Sequence, residues 1–166
     1  GQSRTRLRQL IRTPAFLLSL TAIFLAGATE LGIAQWLPAY VESTLGYSQW
    51  TGGMALLAFS IAMAIGRIAG GTMAHRFTAF QIMTFCCGIL VGLYLLACFA
   101  PWNALALTAC VAIGLTVSGL WPGVLGMTGD KFPHGGASLF GVMSAMGNFG
   151  GIFMPWLIGI VADSGS

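Results

Sequence analysis

The seven Lys and Arg residues of this chain alternate with its long apolar runs, and this alternation limits what the chain can fold into. They lie before the first run, at the close of the second, and between the fourth and fifth: Arg4, Arg6, Arg8, Arg12, Arg67, Arg76 and Lys131. The other junctions, residues 40–49 and 100–103, and the C-terminal tail contain no Lys or Arg. Basic residues of membrane proteins are enriched in cytoplasmic loops. The pattern therefore predicts an all-α polytopic membrane bundle of five transmembrane helices with a cytoplasmic N-terminus.

The composition supports a bilayer environment for most of the chain. Charged residues make up 7% of it, against about 25% in soluble domains. Residues 77–129 contain no Asp, Glu, Lys, Arg or His, which two crossings of about 20 residues each would explain. The basic N-terminus is expected to face anionic lipid headgroups and not a nucleic acid. We expect a multi-pass protein of the plasma membrane or the bacterial inner membrane.

Five spans are expected along the chain. Their predicted limits are about 14–40, 52–73, 79–99, 103–127 and 137–162, after a basic cytoplasmic linker at 1–13 and before a truncated loop at 163–166. The third span is the least polar, so we expect it to face lipid as a supporting helix. The second carries small residues at a four-residue spacing that favours close helix contact: Ala58, Ala62, Gly66 and Gly70.

Polar side chains from four of the five spans fall near a common depth and predict a substrate- or proton-binding cavity. The candidates are Glu30, Gln35, Trp36, Ser60, Thr116, Ser118, Trp121 and Asn148. Most of them also have a structural explanation. Hydroxyl groups often bond carbonyls of their own helix, an Asn can join two helices, and tryptophans belong to interfacial belts or pack beside a proline kink.

Glu30 is the strongest candidate in this set. An acidic side chain in the middle of a span costs about 2.5–3.5 kcal/mol on insertion scales, and such residues are functional by default. Burial disfavours the ionised carboxylate, so Glu30 is a candidate proton carrier. The alternative is a protonated Glu that bonds a neighbouring helix for structure alone. Arg67 is expected to extend towards the inner boundary, with pairing to Asp130 as the alternative.

The second and fourth spans end in the same pattern, G-x-x-x-[H/D]-[R/K]-F, at residues 71–77 and 126–132. An acid and a base at helix ends can pair with each other and with the helix termini. This pattern predicts a cytoplasmic gate formed by Gly71, His75, Arg76, Asp130 and Lys131. The alternative is that they are ordinary charged helix ends.

Several motifs together resemble the C-terminal half of a major facilitator superfamily transporter, its helices seven to eleven. They are G-R-x-x-G-G-x-x-x-H-R at residues 66–76 and P-x-x-x-G-x-x-x-D at residues 155–163. Segments 27–30, 36–40, 118–122 and 129–133 are similar to the fucose-permease-like sugar branch. The resemblance implies alternating access between two six-helix halves, with solute bound near the midplane, and a missing N-terminal half. The family has Asp where this chain has His75, which would make that loop sensitive to pH.

The first functional hypothesis is therefore a fragment of a secondary active transporter for a small polar solute such as a sugar, coupled to a proton or another ion. A drug or metabolite exporter of the same superfamily and a non-transporting sensor or assembly protein are the alternatives. An enzyme is not expected, because no G-x-S-G motif or pair of intramembrane acids is present. The four cysteines lack metal-ligand spacing, so neither a metal nor a cofactor is expected.

Overall fold

The computed structural model describes residues 11–164, and within this range the chain forms six helices. They are α1 (Pro14–Ser43), α2 (Gln49–Met73), α3 (Ala79–Phe99), α4 (Asn103–Val117), α5 (Leu120–Lys131) and α6 (Gly136–Ser164). Helices α4 and α5 follow each other in one apolar stretch, so the bundle contains five segments long and apolar enough to cross a membrane. This confirms the predicted all-α bundle of five spans. We call the end where α1, α3 and α6 begin the basic end.

Several helices are longer than predicted. Helix α2 starts at Gln49 and not near 52, because the side chain of Ser48 accepts a hydrogen bond from the Thr51 N–H and caps the helix. Helix α1 continues past residue 40 to Ser43, and the chain then turns at Gly46, whose φ of 70° suits glycine. Helix α6 extends to Ser164, so residues 163 and 164 are helical and not the expected loop. The rest of that loop and residues 1–10 of the expected linker lie outside the described residues.

The fourth span is broken in its middle, contrary to the prediction of one helix over 103–127. Helix α4 ends at Val117 and α5 begins at Leu120. Pro122 has no N–H, so it cannot donate to the carbonyl of Ser118, and its ring crowds that carbonyl. Gly119 is also a poor helix former. The span reaches Lys131, beyond its predicted end.

Helix α1 packs against α2, α4, α5 and α6. Its contact with α6 is the most extensive, and glycines make it close. A Cβ added at Gly27 would overlap the backbone of Gly147, and one at Gly150 would overlap the backbone of Phe24. Small residues allow this close approach, which favours helix association in lipid.

The small-residue stripe of α2 is used only in part. Gly66 is buried against α4, where an added Cβ would overlap the carbonyl of Leu115 and the hydroxyl of Ser118. Gly70 has open space around the position of a Cβ. The spacing therefore identified a true contact at Gly66 but extended it one turn too far.

Helix α3 is the most loosely attached span. Only Leu90 and Ala97 of its residues are buried, and six of its large apolar side chains are exposed. Two tyrosine hydroxyls connect it to α1: Tyr94 donates to the carbonyl of Thr29 at 3.2 Å, and Tyr40 donates to the carbonyl of Ala97 at 2.7 Å.

Candidate functional site

An ion pair joins α1 to α2 inside the bundle. Nη2 of Arg67 donates to Oε1 of Glu30 at 2.8 Å. Glu30 is only 6% exposed, whereas the side chain of Arg67 keeps 54% of its surface accessible. The carboxyl group therefore points into the protein and not towards lipid, and its partner is reachable from outside the bundle.

The direction of α2 explains why Arg67 reaches Glu30. Side chains on a helix lean towards its N-terminus, and the N-terminus of α2 lies at Gln49, opposite the basic end. The guanidinium of Arg67 therefore extends into the bundle. Both earlier expectations for Arg67, extension to the inner boundary and pairing with Asp130, are wrong.

Glu30 has an unsatisfied oxygen. Its Oε2 is buried and has no hydrogen-bond partner among the described residues. A buried carboxylate that accepts one hydrogen bond is poorly compensated for the loss of water. Oε2 is therefore an open position for a proton or for a donor supplied by a bound molecule.

The other polar candidates do not converge on this pair. Four of them bond a carbonyl of their own helix: Ser60 to Leu56 at 2.8 Å, Thr116 to Ile113 at 3.1 Å, Ser118 to Leu115 at 2.8 Å, and Asn148 to Ser144 at 2.9 Å. Ser60 and Asn148 are exposed, and Ser118 is buried against Gly66, the residue before Arg67. Of these four residues, Ser118 is therefore the one that contacts the neighbour of Arg67 in the chain.

Gln35 and Trp36 connect α1 to α6. Gln35 Nε2 donates to the Gly151 carbonyl at 3.4 Å, and Trp36 Nε1 donates to the Pro155 carbonyl at 2.9 Å. Trp36 also lines a largely apolar cavity of about 530 Å³ between α1, α3, α4 and α6. In this arrangement both side chains hold helices together.

Trp121 has a packing role in α5. It lies against Gly147 of α6, where an added Cβ would come within 2.8 Å of its ring. It belongs to a small core at the basic end that also includes Ile23 and Met143. This contact agrees with the structural explanation for Trp121, which was packing beside a proline kink.

The predicted gate residues Gly71, His75, Arg76, Asp130 and Lys131 are all exposed at the basic end. Among the residues that the structure describes, none of their side chains forms an ion pair with another. Their role as a gate stays a prediction.

Sequence reasoning missed the partner of Glu30, although a signal was present. Arg67 lies within α2, as the predicted second span already implied, but its side chain was expected to extend towards the inner boundary. Charged residues inside spans pair with one another, and Glu30 and Arg67 are opposite charges on consecutive spans. Directing the side chain of Arg67 into the bundle would have suggested the pair.

Comparison with known proteins gives one family and several relatives. Residues 1–155 match the Major Facilitator Superfamily. The chain is 25% identical over 142 residues to the MFS-type efflux transporter pyiT of Pyricularia grisea, covering 81% of this chain and 24% of that protein. It is 26% identical over 144 residues to the probable nitrate/nitrite transporter NarK2 of Mycobacterium tuberculosis strains CDC 1551 and H37Rv, covering 80% of this chain and 34% of those proteins. The chain thus spans about a quarter to a third of the length of these relatives. No solved structure matches it.

Proposed function

This chain belongs to the major facilitator superfamily, and from that premise we propose that it forms part of a proton-coupled secondary transporter for a small polar solute. Membership of this superfamily points to a transporter and not to an enzyme, and to a multi-pass integral membrane protein. We further propose that the chain is the C-terminal half of such a transporter, in the plasma or bacterial inner membrane, and that it works with an N-terminal half.

The Glu30–Arg67 pair carries the proposal of proton coupling. When Glu30 is ionised, its charge attracts Arg67, whose Nη2 lies 2.8 Å from Oε1 of Glu30, and the pair holds α2 to α1. When Glu30 takes up a proton, the attraction between opposite charges is lost, and only a hydrogen bond from the guanidinium to a neutral carboxyl group can remain. The link between the two helices therefore depends on the protonation of one buried carboxyl group.

The packing of Gly66 gives this change a route to the rest of the bundle. Gly66 precedes Arg67 and packs directly on Leu115 and Ser118, beside the break between α4 and α5. A shift of α2 would therefore press on the fourth span where its helical hydrogen bonds are interrupted. Proline and glycine breaks of this kind allow spans to flex, as alternating access requires.

At the basic end, we propose that Gly71, His75, Arg76, Asp130 and Lys131 contribute to a cytoplasmic gate. All five residues are exposed there and are accessible to the other half of the transporter.

We propose a broader class of solutes than the sugars implied by the fucose-permease-like branch. The relatives' names describe an efflux transporter and a nitrate/nitrite transporter, which does not favour a sugar over other small polar solutes. Export of a drug or metabolite is the second candidate function, supported by the similarity to pyiT.

The test is transport by the full-length protein in proteoliposomes, with sugars, nitrate and nitrite screened first for exchange. Glu30→Gln should abolish accumulation driven by a pH gradient and retain exchange of solute across the membrane, because Gln cannot carry a proton. Glu42→Gln is the matched control, since Glu42 lies exposed at the far end of the same helix. Unchanged accumulation in Glu30→Gln would contradict the coupling role.

A further inference from the structure

We infer that the solute of this site is a small monovalent anion, which replaces Glu30 on the guanidinium of Arg67 while Glu30 binds a proton. The inference rests on the proposed function, because it names the solute class at the same ion pair. It is carried by three observations: the unused donors of Arg67, the exposure of that side chain, and the charge of its surroundings.

Arg67 has hydrogen-bond donors that the ion pair does not use. Only Nη2 is bonded, and it contacts a single carboxylate oxygen. Nε and Nη1 have no acceptor among the described residues. A guanidinium presents five N–H donors in a planar fork that fits planar oxyanions with two parallel hydrogen bonds. With 54% of its surface accessible, Arg67 can offer this fork to an incoming anion.

The electrostatics of the bundle favour an anion accompanied by a proton. Helices α3 and α4 carry no charged residue. The other charged side chains that the structure describes lie at or near helix ends: Arg12, Glu42, Arg76, Asp130, Lys131 and Asp163. Glu30 and Arg67 are therefore an isolated neutral pair. An anion that entered alone would place two negative charges beside one positive charge, and uncompensated charge is costly away from water.

Uptake of one proton removes that excess charge. A proton from solution adds to the unpartnered Oε2 of Glu30 without breaking a hydrogen bond. The neutral carboxyl group releases Arg67, and the anion accepts the freed N–H groups. One anion and one proton enter together, so the site stays neutral, and the only covalent change is the O–H bond that forms on Glu30. A neutral solute would leave the ion pair in place and make no use of the charge on Arg67.

The first experiment measures anion binding to the purified full-length protein by calorimetry, with nitrate, chloride and acetate as probes and glucose as the neutral comparison. In the wild type, affinity for the preferred anion should fall about tenfold per pH unit above the pH at which Glu30 titrates, because one proton is bound with each anion. This measurement needs no variant. Anion binding that is independent of pH, or binding of glucose with no binding of any of the anions, would overturn the inference.

Variants then test the roles of Glu30 and Arg67 one at a time. Glu30→Gln should bind the anion without pH dependence, because Gln is neutral like the protonated carboxyl. Arg67→Lys should bind it at least tenfold more weakly, since an ammonium lacks the planar fork. Arg12→Gln, an exposed change before α1, should behave as the wild type. Wild-type anion affinity in Arg67→Lys would overturn the inference.

Flux measurements distinguish failure of this inference from failure of the proposed function. A pH gradient should drive anion accumulation in proteoliposomes, whereas a membrane potential alone should not, because the loaded site is neutral. Proton-driven accumulation of a neutral solute that requires Glu30 would overturn the anion inference and leave the proposed function intact. Accumulation of any solute that is unchanged in Glu30→Gln would contradict the proposed function itself.

Discussion

Replacing Gly66 with alanine should push α2 away from α4, whereas the same replacement at Gly70 should not. A Cβ at position 66 would lie 3.0 Å from the carbonyl carbon of Leu115, and closer still to its oxygen and to the Ser118 hydroxyl. A Cβ at position 70 would meet nothing within 4 Å. The two variants therefore add the same methyl group to the same helix in opposite surroundings.

The expected difference between the two variants follows from these contacts. Both replacements gain about 1 kcal/mol because alanine is a better helix former than glycine, so this term cancels. At position 66 the methyl group also meets a helix backbone, which cannot rotate away as a side chain can. Carbon–carbon contacts are optimal at about 3.5–4.0 Å, so the helices must separate by at least ~0.5 Å. Overpacking of this kind costs about 1–3 kcal/mol.

The free energy of unfolding of Gly66→Ala should therefore lie about 1–3 kcal/mol below that of Gly70→Ala. Both variants can be purified in detergent micelles and unfolded by SDS titration, with far-ultraviolet circular dichroism reporting the loss of helix. If Gly66→Ala were as stable as Gly70→Ala, the close packing of α2 on α4 would be refuted. The proposed route from the ion pair to the helix break would fall with it.

Three further replacements test other contacts. Tyr94→Phe should lower the free energy of unfolding by about 0.5–1.5 kcal/mol in the same titration, because it removes the hydroxyl that bonds the Thr29 carbonyl. Pro122→Ala should restore an N–H to bond the Ser118 carbonyl and close the helix break, which slower amide exchange at residues 118–122 and slower solute transport would reveal. Asn148→Ala should change the free energy of unfolding by less than about 0.5 kcal/mol, because this exposed amide bonds only its own helix within the described chain.

Two controls accompany these changes. Tyr47→Phe removes a hydroxyl that has no hydrogen-bond partner among the described residues, so a loss for Tyr94→Phe no greater than for Tyr47→Phe would argue against the α1–α3 link. Pro133→Ala changes an exposed proline outside the helices. If the amides of residues 118–122 exchanged as fast in Pro122→Ala as in Pro133→Ala, Pro122 would not be the cause of the break. A loss of more than 1 kcal/mol in Asn148→Ala would mean that this side chain has a partner beyond its own helix.

The number of spans and their helical character could be predicted because the bilayer imposes both. A crossing needs about 20 apolar residues, and basic residues mark alternate junctions, so charge and length were sufficient. The ends of helices depend on single local contacts. The cap at Ser48 lengthened α2, and the missing N–H of Pro122 divided the fourth span. The sequence predicts a proline kink beside Trp121, and the hydrogen bond that Pro122 cannot donate to the Ser118 carbonyl turns this kink into a break between α4 and α5.

The candidate site was predicted only in part because counting along a chain gives depth and not direction. Depth identified Glu30 correctly as an acidic group within a span. The same count placed Ser60 and Asn148 near it, yet both lie exposed and bond their own helices. Arg67 was missed because the lean of its side chain depends on the direction of α2. A polar layer read from depth therefore needs the helix faces before it becomes a site.

The Tyr94 hydroxyl gives the surrounding membrane a mechanical connection to the charged pair. It bonds the carbonyl of Thr29, the residue before Glu30, and it belongs to the span with the least buried surface. Spans respond to bilayer thickness by tilting, and a tilt of α3 would pull on the backbone that carries the carboxyl group. The acyl-chain length of the lipids would then change how readily the two charges separate, and this effect would not depend on pH.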